Sequence, residues 1–349
     1  SAFPPKIVAL VLAILLVLVN ILGVKQTGRL QSIIVTVVVA VLLLFIVDGI
    51  TFVESARYHP FVPNGNVSLL AATGFVFVSY AGVTKIASVA EEVENPGRNI
   101  PLAMIGSVLL MMLVYALVVF VVVGVSDPAE LTGRLTPMAV GAERFLGQFG
   151  VVVIAAVAVV ALTSMANAGV LSASRFPFAM SRDELAPPSI EYVHDRFHTP
   201  IVALLLTGAV LLLLVGFVPV LELAKLASAF KILVFSLVNV ALIAFRESDL
   251  ETYDPDFVSP GYPYVQLFGI VAGLVLITQM GLISIIGAIG IVVGGIVWYR
   301  VYGRERTDRE GVALEAIRRT TEKYAVRGIR SEFATGGKGG IVVCHVPGT

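Results

Sequence analysis

Cysteine is nearly absent from this sequence: Cys344 stands alone in 349 residues, which excludes an intrachain disulfide framework and a multi-cysteine metal site. Histidine is scarce as well, and His59, His194, His198 and His345 do not fall into a metal-ligand grouping. Neither an H-E-x-x-H pair nor a G-x-S-x-G elbow occurs, so no catalytic constellation is formed and no enzyme is expected. The glycine run Gly336 to Gly340 around Lys338 lacks the spacing of a phosphate loop and reads as a linker. Charge is thin, at 14% of residues, and 24 basic side chains balance 24 acidic ones. Bulk charge therefore selects neither nucleic acid nor an acidic substrate, and no resident cofactor or metal is expected.

What the sequence has instead is apolar surface. Hydrophobic residues make up 57% of the chain and the mean hydropathy is +0.94, against about 45–50% apolar in soluble domains. The excess must face lipid. It is gathered into uncharged runs such as Ile7 to Leu22, Ile33 to Val47 and Ile201 to Gly216, close to the roughly 17–25 residues that a membrane-crossing helix needs. Breaks at charge, proline and glycine divide the chain into nine candidate spans: 6–24, 30–47, 68–90, 101–125, 149–173, 200–217, 223–245, 263–279 and 282–302. Residues 1–302 are thus expected to form an all-α integral membrane core, and 303–349 a soluble cytoplasmic tail. In that tail Asp308 to Val326 has helical spacing and Ile341 to Val343 looks like a strand.

The connectors set an orientation. One alternate set, with the tail, carries Lys25, Arg29, Arg98, Arg175, Arg182, Arg196, Arg246, Arg300, Arg304 and Arg306; the other carries Lys6, Arg57, Arg134 and Arg144. Ten against four puts the C-terminus in the cytoplasm and, with an odd number of spans, the N-terminus outside the cell membrane. The first run lacks a basic leader and a cleavage site, so it does not read as a signal peptide. Ser1 in place of Met, with an outside start, suggests missing upstream helices. The segment from Arg175 to Pro200 is expected to be a short amphipathic cytoplasmic connector.

The third span is interrupted. Ser79-Tyr80-Ala81-Gly82 sits inside it, followed at once by Thr84 and Lys85. Gly82 costs a helix about 1 kcal/mol relative to alanine, and broken helices persist at membrane depth only where they line an enclosed cavity. Here Tyr80 or Phe77 is a candidate to occlude a ligand, and Gly82 allows its close approach to the backbone; the alternative is a kink packed by ordinary aromatics. A lysine inside a span costs roughly 2.5–3.5 kcal/mol on insertion scales, so Lys85 and Lys231 are candidates for a coupling role or for a structural ion pair.

Three stretches, Ser79 to Pro101 with its Ala90-Glu91-Glu92-Val93-Glu94-Asn95-Pro96 run, Ser174 to Pro187, and Thr199-Pro200, resemble the amino acid-polyamine-organocation permeases. Asn20-Ile21-Leu22-Gly23-Val24-Lys25 is similar to the connector between that family's fourth and fifth spans. The resemblance implies a multi-pass bundle of two inverted five-helix repeats, of which residues 1–302 correspond to spans four to twelve, without the first three. It implies secondary transport of amino acids by alternating access, coupled to H⁺ or Na⁺ or run as exchange. Substrate would be met by backbone groups of broken helices, here Phe77, Ser79, Tyr80, Ala81 and Gly82, with Ser164 and Asn167 on the eighth family span as further substrate candidates.

Lys85, Lys231 and Ser172 are ion-coupling candidates. The lysine that many members carry in the fifth family span is replaced here by Thr36-Val37-Val38-Val39. Glu91, Glu92, Arg98, Arg175, Arg182 and Asp183 fall at the inner face as gate candidates, or as solvated loop charges. Two other readings stay open: a non-transporting sensor or partner subunit, and a carrier of another small amine or inorganic ion. The expected partners are a small amino acid or amine and the lipid bilayer; oligomeric state is not indicated.

Overall fold

The computed structural model describes residues 4–23, 28–83, 93–247, 255 and 257–304. Among them the regular structure is helical, and the order is α1 (Pro5–Ile21), α2 (Gly28–Gly49), α3 (Gly65–Val76), α4 (Pro96–Val125), α5 (Pro128–Leu131), α6 (Pro137–Arg182), α7 (Ile201–Phe217), α8 (Val220–Glu247), α9 (Tyr264–Gln279) and α10 (Leu282–Trp298). Six are long and apolar enough to cross a membrane, and α1, α7 and α9 are shorter apolar helices. Together these correspond to the nine expected spans. Large side chains that soluble proteins bury lie on the outside, Phe149 at 75% and Phe217 at 80% exposure among them. With lipid as the solvent this outward apolar surface is at rest, and the protein is a multi-pass membrane protein.

Packing divides the helices into two sets. In the first, α8 lies against α9, α10 and α3, and α3 also meets α9; Ala229, Ile232, Ile277, Met280 and Ala288 form its core. In the second, α6 is the hub for α1, α2, α4 and α7, with one core around Phe45, Val121 and Ala142 and another around Val17, Val170 and Leu204. Contacts among the described residues tie the sets together, two of them polar or aromatic. The rings of Tyr80 and Tyr115 meet edge to face at 5.7 Å, and Trp298 Nε1 at the end of α10 donates to the Leu185 carbonyl at 2.8 Å. Trp298→Phe keeps the ring and removes that donor. The expected loss is about 1 kcal/mol, read as a lower thermal midpoint of the purified protein in detergent; an unchanged midpoint would show that the bond carries no net stability.

Local chemistry accounts for the helix ends. Asn95 takes a left-handed conformation (φ 48°) and Pro96 follows at the first helical position of α4, a pairing suited to both residues. The Asn99 side chain donates to the Glu94 carbonyl at 2.6 Å, so the asparagine-proline stretch is a helix-start device. Between α2 and α3, residues 50–64 fold over the end of α4: Glu54 N–H donates to Gly124 O at 3.0 Å, and the Tyr58 hydroxyl donates to Phe120 O at 2.7 Å. Arg57 hydrogen-bonds Glu54 from the same turn at 3.0 and 3.1 Å and holds its carboxyl below the ordinary carboxylate range.

Boundaries differ from expectation: α4 starts at Pro96 where residue 101 was expected, and α6 at Pro137 where 149 was expected, with a kink at Gly147 (φ 60°). The segment expected to be a connector from Arg175 begins only at Asp183, because α6 runs on to Arg182 through Pro177. Ser181 Oγ then ties the end of α6 to the following loop by donating to Pro187 O at 2.7 Å. The candidate helix and strand at Asp308 to Val343 lie outside the described residues.

Candidate functional site

The interruption expected in the third span is present, and it begins earlier. α3 keeps α geometry to Val76, and residues 77–83 tighten into a 3₁₀ stretch, the form that mid-helix segments take at hinges and under strain. The onset lies five residues before Gly82. Gly82 therefore does not start the break; it stands at the far end with open space beside it.

A small cavity of about 190 Å³ opens beside the tightened stretch. Ser79, Tyr80, Gly82 and Val83 line it from α3's extension, and Ser107, Val108, Met111 and Tyr115 from α4. Tyr80 and Tyr115, on its two sides, meet edge to face. Larger grooves exist, about 500 Å³ among α1, α6 and α7 and about 400 Å³ between α2 and α6. Both are lined mostly by apolar side chains, with Thr207 the one polar side chain in the first and Asp48 in the second, and neither offers a set of converging polar groups to recognise an amino acid, which makes the smaller cavity the better site.

Phe77 does not join this cavity. Its ring packs edge to face on Phe235 of α8 at 5.5 Å and against the core of the first helix set. Ala81 lies within the 3₁₀ stretch and is half-buried. Ser164 and Asn167 of α6 are likewise placed elsewhere. Ser164 Oγ donates to Gln31 Oε1 of α2 at 2.7 Å, and Asn167 Oδ1 accepts from Asn20 Nδ2 of α1 at 2.7 Å, both asparagines being buried. In the membrane such bonds hold helices together.

Ser172 is half-buried on α6, and Arg98, Arg175, Arg182 and Asp183 are exposed. The Arg182 guanidinium lies 6.0 Å from the Phe178 ring. Lys85, Glu91 and Glu92 lie outside the described residues. Lys231 is half-buried near the middle of α8. It is three residues after Ser228 and four before Phe235, which places it on the face of α8 that meets α3.

Ser228 was not legible as a site residue. Fully buried on α8, it donates its hydroxyl hydrogen to Phe75 O at 2.7 Å and accepts the Val78 N–H at 3.0 Å, 153 and 150 residues away in the chain. A serine amid alanines in an apolar helix gives no sign of such a partner. Only the packing of α8 on α3 reveals it.

Comparison with known proteins agrees with this architecture. The profile of the amino acid permease family matches residues 2–302. The chain is 31% identical to the branched-chain amino acid permease BcaP of Bacillus subtilis over 290 residues, 82% of this chain and 61% of that protein. It is 31% identical to the methylthioribose transporter of the same organism over 304 residues, 86% and 64% of the two chains. Cationic amino acid transporter 3, mitochondrial, of Arabidopsis thaliana is 32% identical over 234 residues, 64% and 38% respectively. The chain thus spans less than two thirds of the length of each of these relatives. With an interrupted third helix, nine apolar helices among the described residues, six of them long enough to cross a membrane, and a profile match over residues 2–302, the chain belongs to the amino acid permease family.

Proposed function

We propose that this chain carries out secondary transport of amino acids across the cell membrane by alternating access, with substrate held at the 3₁₀ stretch of residues 77–83. The observation that carries the reading is the break itself. A helix that changes geometry at membrane depth sets backbone N–H and C=O groups in an irregular array beside the cavity, and such groups are the partners a carboxylate and an ammonium require. Tyr80 and Tyr115 give the cavity an aromatic ring on each side. Its other side chains, the hydroxyls of Ser79 and Ser107 and the apolar Val83, Val108 and Met111, favour a neutral side chain over a cationic one. That preference is in keeping with the branched-chain relative.

In this reading Lys231 carries the charge coupled to H⁺ or Na⁺ movement, since it stands mid-helix on the face toward the break. Arg98, Arg175, Arg182 and Asp183 lie at the cytoplasmic face, with the C-terminus inside, as the positive-inside count requires. A carrier of a related small molecule is the second reading, favoured by the methylthioribose relative.

Uptake into proteoliposomes, with leucine, arginine, methylthioribose and chloride in competition, tests both readings. Saturable leucine uptake is expected, with Tyr80→Ala raising its KM about tenfold through the lost aromatic contact. Competition by methylthioribose alone would select the second reading. Absence of any exchange would sink transport and leave the sensor or subunit role.

A further inference from the structure

We infer that Ser228 is a positioning residue that holds α3 broken, its hydroxyl inserted from α8 into the backbone ladder of α3. The inference deepens the proposed substrate site and rests on that reading only for its transport consequence.

The geometry is specific. In a continuous α-helix Val78 N–H would bond the carbonyl four residues back, at Gly74, and Phe75 O would accept from Ser79 N–H. In a 3₁₀ turn Val78 N–H would instead bond Phe75 O directly. The contact seen here brings a side chain from another helix to both groups. The serine hydroxyl stands between Phe75 O and Val78 N–H, donating to one at 2.7 Å and accepting from the other at 3.0 Å, which uses its single donor and one of its two acceptor positions. Insertion of a side chain into the ladder is a recognised cause of sharp helix disruption. The disruption coincides with the point where α geometry stops, at Val76.

The local sequence holds one helix-weakening residue just before the onset, Gly74, and it keeps α geometry. Residues 75–81, Phe-Val-Phe-Val-Ser-Tyr-Ala, contain neither proline nor glycine, and Gly82 lies beyond the onset. Strain from crowding is also absent at Gly82, where an added Cβ would meet nothing within 4 Å. The cause therefore lies across the interface, on α8. Ser228 is fully buried, so no water competes for these two backbone groups. The Phe77–Phe235 contact, in the same turn of α3 and about two turns along α8, keeps α3 and α8 in register at the insertion.

A consequence for transport follows. Any motion that slides α3 along α8 must first release the Phe75 carbonyl and the Val78 N–H together, so the break and α8 move as one unit while the latch is closed.

Hydrogen–deuterium exchange of the protein in nanodiscs, set beside uptake kinetics, tests the assignment with three variants. Ser228→Ala removes the hydroxyl. Ser228→Cys keeps most of the volume with a weak donor. Ser228→Thr retains the hydroxyl. Alanine and cysteine are expected to speed exchange in peptides covering residues 75–83 by about tenfold, in line with loss of one to two hydrogen bonds. Peptides from α1 and α6 should stay at wild-type rates, and threonine should restore protection.

If the site reading also holds, alanine and cysteine raise the KM for uptake more than they lower the maximal rate, again with rescue by threonine. Faster exchange at 75–83 in a protein that shows no uptake would uphold the latch and overturn the transport reading. Wild-type exchange at 75–83 in the alanine variant, or faster exchange spread evenly over the whole bundle, would overturn the latch.

Discussion

Gly124→Leu is expected to be the most damaging single substitution at the end of the bundle covered by residues 50–64, and even Gly124→Ala is expected to lower the thermal midpoint. Gly124 lies buried near the end of α4. A Cβ built there overlaps the Tyr58 hydroxyl and comes within 2.8 and 3.0 Å of the two Val53 methyls. None of these atoms is free to retreat. The Tyr58 hydroxyl is held by Phe120 O at 2.7 Å and its ring is stacked on Phe120 at 4.9 Å, while the chain near Val53 is pinned by the Glu54 N–H bond to Gly124 O.

Two effects compete. Alanine in place of glycine inside a helix contributes about 1 kcal/mol. Overpacking costs about 1–3 kcal/mol, and losing the tyrosine bond costs about 1 kcal/mol more. Overpacking wins. Gly106 supplies the control: it is on the same helix with nothing within 4 Å of an added Cβ, so Gly106→Ala should be neutral or stabilising. Thermal midpoints of the two alanine variants in the same detergent decide the matter. Equal shifts would mean that the loop over α4 does not constrain the helix.

The second large effect concerns the buried asparagine pair. Asn167→Leu leaves Asn20, 5% exposed, without the acceptor that now lies at 2.7 Å, although Asn20 Nδ2 keeps its bond to Leu16 O at 2.8 Å. An abandoned buried donor costs about 1–3 kcal/mol in water-soluble proteins, whereas bonds between membrane helices average about 0.6 and reach about 1.7 kcal/mol. A loss of about 1–2 kcal/mol is expected for either single leucine variant. The double variant N20L/N167L should recover most of it, because two apolar groups of similar shape leave nothing unpaired.

The KM for uptake should remain at its wild-type value in all three variants, since Asn167 is directed to α1 and not to the cavity at α3. A raised KM with unchanged stability in Asn167→Leu would instead return this side chain to the substrate site. The same cycle applied to Ser164 and Gln31 should give a smaller coupling, as that pair is less fully buried.

The sequence by itself determined the solvent, the class and the places of the spans. Uncharged runs of bilayer length leave a helix no alternative in lipid, where every backbone group must be paired within the segment. A disturbance of the third span was legible too, read at Ser79 to Gly82, while the start of α4, expected at residue 101, lies at Pro96, where Asn95 and Pro96 follow their own local preferences. Local information of this kind depends on near neighbours in the chain, so a single sequence can carry it.

Tertiary structure alone decided which polar groups meet and what each one does. Ser228 and Val78 are 150 residues apart, Asn20 and Asn167 are 147 apart, and nothing local in either helix points to the other. Phe77 could have covered a ligand, and the docking of α8 turned it toward Phe235 instead. The onset of the break was moved from Gly82 to Phe77 for the same reason. A serine hydroxyl from another helix satisfies two backbone groups in a dry interface, and in a low-dielectric interior that pairing outweighs the weak conformational preference of one glycine.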